Sequence, residues 1–227
     1  MSEQDHDHPH AEITNGDEPP AARRARTLEE LLVAKHVVRR EDVRRMIDWL
    51  VSRSPADGAR LVARAWTDPE FKQRLLADAR AAALELGLDP GPSPVVVAVE
   101  NTRGVHHMVV CTLCSCYPRA LLGPPPDWYK SLAYRSRAVS DPRGVLAEFG
   151  VELDDDVELR VLDSTADMRY LVIPRRPAGT EQMDEAELAA LVTRDSMIGV
   201  AHPAAPARDG GGPTTPATPG PRSDRVR

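Results

Sequence analysis

This sequence has little of what several large classes of protein require. It has no excess of positive charge: 29 lysines and arginines face 35 aspartates and glutamates, a net charge of −6, so nothing in the balance points to nucleic acid. No apolar run approaches the length of a membrane span, and the opening MSEQDHDHPH has no apolar signal-peptide core, so the expected compartment is the cytoplasm. There is no internal repeat. Only three cysteines are present, an odd number that argues against a secreted disulfide framework. What is there, 41% hydrophobic and 28% charged residues over 227 positions, reads as soluble and globular, with room for one sizeable core or a domain plus an extended arm. Twenty-one prolines and fourteen glycines place many residues outside regular elements.

Residues 1–26 are polar, with His6, His8 and His10 alternating among acids and prolines. They are expected to form a disordered tail, with weak trapping of a divalent metal by the histidines as the alternative. A helical stretch follows over 27–90. Thr27 and Glu30 have capping-box spacing ahead of Leu28, Leu31 and Leu32. Val43, Met46, Ile47, Leu50 and Val51 make a one-face stripe in a second helix. SPADGARLVARAW supplies a third, ending near Trp66. Asp68 and Pro69 open a fourth that Gly87 stops, with Phe71, Leu75, Ala79, Ala82, Ala83 and Leu86 on one side. Such stripes serve a core or a partner more often than chemistry.

After Gly91 the pattern turns to short strands, so the chain reads as α/β. VVVAV (95–99) and VHHMVV (105–110) flank a turn-like ENTRG, and VELRVL (157–162) and RYLVI (169–173) read as a pair of strands. Between them, the prolines of LLGPPPDWYKSLAYRSRAV end one element and open a helix. Asp141 caps a short helix stopped by Gly150, and Asp184 with Glu187 repeats the capping-box spacing before LAALV. From His202 the chain is rich in proline and glycine, and 202–227 are expected to be a second disordered tail.

All three cysteines fall in VVCTLCSCYPR (109–119), directly after an apolar strand: Cys111, Cys114 and Cys116. Neighbouring thiols with no role are a standing oxidation hazard, and a disulfide leaves one thiol over. Structural zinc and iron–sulfur clusters normally take four side-chain ligands. His106 or His107 is the candidate fourth, but strand alternation turns them to opposite faces, and structural hydrogen bonding is the commoner role. Three thiolates this close grip one ion on one face. If the amides of Ser115 and Cys116 lose their protons, the set becomes three sulfurs and two nitrogens, with a sixth position open for water or substrate. Such anionic donors suit a small trivalent ion better than zinc. The spacing fits that set without singling it out.

VCTLCSC resembles the metal-binding motif of nitrile hydratase alpha subunits. ARAWTDPEFKQRLLADA, VENT, GPPPDWYKSLAYRSRAV, DPRGVLAEFG, MRYLVIPRRPAGT and LVTRDSMIGV also look like segments of that family, from about residue 60 to residue 200. The resemblance implies a helical arm over 27–90 that embraces a partner, then a layered α-β-β-α domain over 91–201 carrying the metal and the catalysis. It implies metal held by Cys111, Cys114 and Cys116 and by the backbone nitrogens of Ser115 and Cys116. Cys114 would be oxidised to sulfinic acid and Cys116 to sulfenic acid, the two being the catalytic residues. Thr112 stands where cobalt members usually show threonine and iron members serine, which favours one low-spin cobalt(III) per chain over iron(III).

The implied reaction is hydration of a nitrile to its amide: the metal polarises the C≡N group, and an activated water or the Cys116 sulfenate attacks the carbon. The implied partners are a beta subunit, whose arginines face the sulfur oxygens, and a metallochaperone or activator. Arg119 departs from the pattern, since many alpha subunits have tryptophan there, facing substrate. It is either a drifted surface position or a substrate-binding residue suited to an anion such as thiocyanate. The gamma subunit of thiocyanate hydrolase, which has the same cysteine claw, is therefore the alternative. A non-catalytic metal carrier and a pure interaction subunit are the alternatives of another class. The mass of the peptide spanning Cys111 to Cys116 separates them, through oxygen on two sulfurs, no oxygen, or a bare disulfide.

Overall fold

The computed structural model describes residues 19–91 and 95–206, and these fall into two units that divide after Asp48. The first holds α1 (Pro20–Ala34) and most of α2 (Arg40–Ser52). Pro20 opens α1 at the first helical position, where its missing N–H costs nothing, and Ala21, Ala22, Arg23 and Arg24 are strong helix formers behind it. Residues 20–26, expected as tail, are therefore helical. Thr27 lies inside the helix with its hydroxyl donating to the Arg23 carbonyl, so the expected capping box does not form. Residues 1–18, with the three histidines, lie outside the described residues, as do 207–227.

The second unit begins with α3 (Ala56–Thr67), α4 (Pro69–Ala77) and α5 (Ala79–Glu85). Asp68 caps α4 by accepting the Phe71 N–H. The single helix expected from 69 to 86 breaks at Asp78. Its extended backbone ends α4, and its carboxylate accepts the Ala81 N–H to start α5. These helices are not an exposed arm. Leu61, Val62, Phe71, Leu75, Ala82 and Ala83 are buried in one cluster with the strands, so the boundary expected near residue 90 falls after Asp48 instead.

The rest of the unit runs β1 (Val95–Glu100), β2 (Val105–Val110), α6 (Arg119–Leu122), α7 (Asp127–Lys130), α8 (Leu132–Ser140), α9 (Pro142–Glu148), β3 (Glu158–Asp163), β4 (Met168–Ile173), α10 (Glu185–Leu191) and α11 (Arg194–Ile198). Asp141 caps α9 and Asp184 caps α10, the latter with both halves of its capping box. The last two strands do not pair with each other. β1 pairs with β4 and β2 with β3, both parallel, in two two-stranded sheets. In the second sheet the largely buried β2 lies beside the exposed β3, and in the first the buried end of β4, Leu171–Ile173, lies beside β1. Parallel neighbours need a crossover, and α6 to α9 supply it between β2 and β3. Gly199, at φ +88°, ends α11 against β2, where a Cβ would overlap the carbonyl oxygen of His107. No helix among the described residues is long and apolar enough to cross a membrane.

Candidate metal centre

The buried β2 delivers Cys111 as its next residue, 1% exposed, so the first thiol is anchored in the core. The chain then leaves the sheet and turns back. Cys114 is exposed and Cys116 half-buried. The turn brings Cys114 Sγ to 3.5 Å from Cys111 Sγ and 3.3 Å from Cys116 Sγ, and all three sulfurs lie within 4.8 Å of one another. The Cys114 N–H donates to Cys111 Sγ at 3.3 Å, and the backbone of Ser115 and Cys116 runs in the same turn. The structure brings the three cysteines of the expected ligand set together, with Ser115 in the turn between the last two.

The three thiols are unequal. Hydrogen bonds from the Cys116 thiol, then the Cys111 thiol, then the Ser115 and Cys116 backbone pull Cys114 down to about 7. Burial, followed by the hydrogen bond with Cys114, pushes Cys116 up to about 12. Of these two, Cys114 is the one that more readily carries a thiolate, and the hydrogen bonds from its neighbours stabilise that charge.

Aromatic residues hold the frame of the turn. Tyr129 donates its hydroxyl to the Cys116 carbonyl at 2.9 Å, and Tyr134 donates to the Val109 carbonyl at 2.7 Å. Trp128 packs edge-on against Tyr134 and Phe149, each at 4.8 Å between ring centroids. Thr112 is held from two sides, by Asp163 at the end of β3 and by Arg135 from α8. Sequence reasoning missed these supports. Only the parallel register, which sets Asp163 opposite Val110, makes Asp163 a neighbour of the claw.

Neither histidine of VHHMVV joins the cluster. His106 donates from Nε2 to the Gly199 carbonyl at 2.7 Å and faces Asn101 Nδ2 through Nδ1, while His107 donates its backbone N–H and Nδ1–H to Asn101 Oδ1. Burial holds both imidazoles below their ordinary value, so they stay neutral and structural. Arg119 opens α6 three residues after Cys116; its side chain is exposed and makes no ion pair or hydrogen bond among the described residues. A cavity of about 350 Å³ bordered by Arg103, His106, Arg176 and His202 contains none of the cysteines.

A family model described as nitrile hydratase, alpha chain, matches residues 20–201, a span that includes the claw and reaches into both units. The chain belongs to the nitrile hydratase alpha chain family. It is 54% identical over 188 residues to the low-molecular-weight cobalt-containing nitrile hydratase subunit alpha of Rhodococcus rhodochrous, covering 82% of this chain and 91% of that one. It is 43% identical over 185 residues to the thiocyanate hydrolase subunit gamma of Thiobacillus thioparus, covering 77% and 76%. Among solved structures it is similar to a recombinant thiocyanate hydrolase comprising partially modified cobalt centres, with a TM-score of 0.79 and 37% identity over 91% of this chain and 100% of that one.

Proposed function

We propose that this chain is the alpha subunit of a nitrile hydratase, converting a nitrile to the corresponding amide at a low-spin cobalt(III) centre. One observation carries this reading: three cysteine sulfurs converge within 4.8 Å of one another in a member of the nitrile hydratase alpha chain family. The donor set fits such an ion. Three soft sulfurs lie on one side, the Ser115 and Cys116 nitrogens follow in the same turn, and no carboxylate or imidazole completes a zinc-like tetrahedron among the described residues. Cys111, Cys114, Cys116 and those two nitrogens would hold the metal, which supplies Lewis acidity toward the C≡N group.

The chain's own residues do the rest. Cys111, fixed by the core, sets the position of the claw. Cys114 as sulfinic acid and Cys116 as sulfenic acid would carry the oxygens of the site, and the Cys116 oxygen would either attack the carbon and be replaced from water or orient the attacking water. Those oxygens need cations. Arg135, which touches this turn, spends its Nε and Nη2 donors on the Thr112 carbonyl, which supports a beta subunit as the source of arginines. The exposed apolar residues of α1 and α2 support an arm that embraces that subunit. An activator protein inserts the metal, and the assembly works in the cytoplasm.

Co-expression with a beta partner and activator in cobalt medium should give about one cobalt per chain, since three clustered thiolates seat one ion, together with amide from a nitrile panel. Stoichiometric zinc in active enzyme overturns the reading. A second reading, the gamma subunit of a thiocyanate hydrolase, is favoured by the exposed Arg119 guanidinium, which suits an anionic substrate. Thiocyanate hydrolysis with no amide from any nitrile makes it the answer.

A further inference from the structure

Thr112 stands between the first two cysteines, and each of its polar groups is engaged. Its N–H donates to Asp163 Oδ1 at 3.0 Å and its hydroxyl to Asp163 Oδ2 at 2.6 Å. Its carbonyl accepts from Arg135 Nε at 3.2 Å and Nη2 at 2.6 Å. The two partners come from different elements, the end of β3 and the middle of α8. Beyond Thr112 the turn runs exposed through Leu113, Cys114 and Ser115 until Tyr129 takes the Cys116 carbonyl. The exposed half of the claw is thus pinned at its two ends.

We propose that Asp163 and Arg135 are positioning residues that clamp Thr112 and thereby preset the claw for its metal. The proposal rests on the reading of the three cysteines as a metal site. Both peptide groups of Thr112 are fixed, so the turn that follows starts in one direction, and the Cys114 N–H and sulfur arrive against Cys111 Sγ. Ligands held on a preset frame need no reordering when the ion enters, and they resist opening when a competitor pulls at it. The hydroxyl of Thr112 is given to Asp163. The choice of residue at 112 therefore acts on the centre through the clamp, not by contact with the ion.

The test uses the assembled, cobalt-loaded complex carrying Arg135→Met, Arg135→Lys, Asp163→Ala or Thr112→Val. Two quantities are read: the rate at which an excess chelator strips cobalt, and the sulfur-to-cobalt charge-transfer absorption. Loss of one or two charge-assisted hydrogen bonds should speed release by about tenfold and shift the band in Arg135→Met and Asp163→Ala. Thr112→Val, which removes the hydroxyl at nearly constant shape, should move both readouts in the same direction. Arg135→Lys should restore part of the loss. Arg143→Met is the control, because Arg143 holds the carbonyls of Leu153, Asp154 and Val157 away from the claw. It should lower the unfolding temperature and leave both cobalt readouts unchanged. Release rates and absorption equal to wild type in Asp163→Ala and Thr112→Val overturn the clamp even where Arg135→Met fails to fold. An equal effect from Arg143→Met overturns it as well. A wild-type complex that takes up no cobalt overturns the metal reading, and the clamp with it.

Discussion

Two helical stretches of this chain have the same patterning and opposite surroundings. In α2, Val43, Met46, Ile47, Leu50 and Val51 share one face, yet Ile47 is 51% and Val51 76% exposed. In α4 and α5, Phe71, Leu75, Ala79, Ala82 and Ala83 share one face, and every one is buried. Periodicity says that a face needs cover; it does not say what covers it. In the second case the cover is the chain's own sheet. In the first, the proposed function assigns it to a partner subunit.

The largest expected effect separates chemistry from both stretches. Cys114→Ser should abolish activity of the assembled enzyme, by more than about a hundredfold, because a hard hydroxyl does not replace a thiolate in this donor set. Cys114 is exposed, so unfolding of the isolated chain should shift by less than about 0.5 kcal/mol. Appreciable turnover in that variant removes the claw from the mechanism. Next in size is the buried stripe. Phe71 is 1% exposed, and Phe71→Ala should cost the isolated chain about 3–5 kcal/mol in a denaturant titration, through lost burial and the cavity left behind.

The exposed stripe should behave in the reverse way. Ile47→Ala should leave the isolated chain within about 0.5 kcal/mol of wild type, since little apolar surface there leaves water. In the complex it should weaken association by about 1–2 kcal/mol, the value of a side chain buried on assembly. Limited proteolysis checks the same point, because residues 20–48 should gain protection only when the partner is present. Equal stability losses from Ile47→Ala and Phe71→Ala in the isolated chain would erase the distinction between arm and core.

What the sequence makes legible follows from distance along the chain. The claw is legible because all its donors fall within Cys111 to Cys116. The caps at Asp68, Asp141 and Asp184 are legible because donor and acceptor lie three residues apart. Strand pairing is not, because β2 meets β3 only after four intervening helices, and parallel partners leave no hairpin signal. The hold on Thr112 escapes notice for the same reason, since Arg135 and Asp163 arrive through tertiary packing. Arg119 is conspicuous in the sequence and exposed in the fold.

The smallest expected effects come from two residues that share a capping spacing but differ in surroundings. Asp78 caps α5, accepting the Ala81 N–H at 2.9 Å. Asp78→Ala strands that donor and should cost about 1 kcal/mol in the isolated chain. Thr27 has Glu30 three residues on and looks like a cap, but it sits inside α1 with its hydroxyl turned back to the Arg23 carbonyl at 3.0 Å. A hydroxyl bonded that way does nothing for the free N–H groups at the start of the helix, and threonine is a poorer helix former than alanine. Thr27→Ala should therefore leave stability unchanged or raise the helicity of α1, with a gain of no more than about 0.5 kcal/mol. Circular dichroism of the two variants reads the difference. A loss near 1 kcal/mol from Thr27→Ala would move the start of α1 from Pro20 back to Thr27 and return residues 20–26 to the tail.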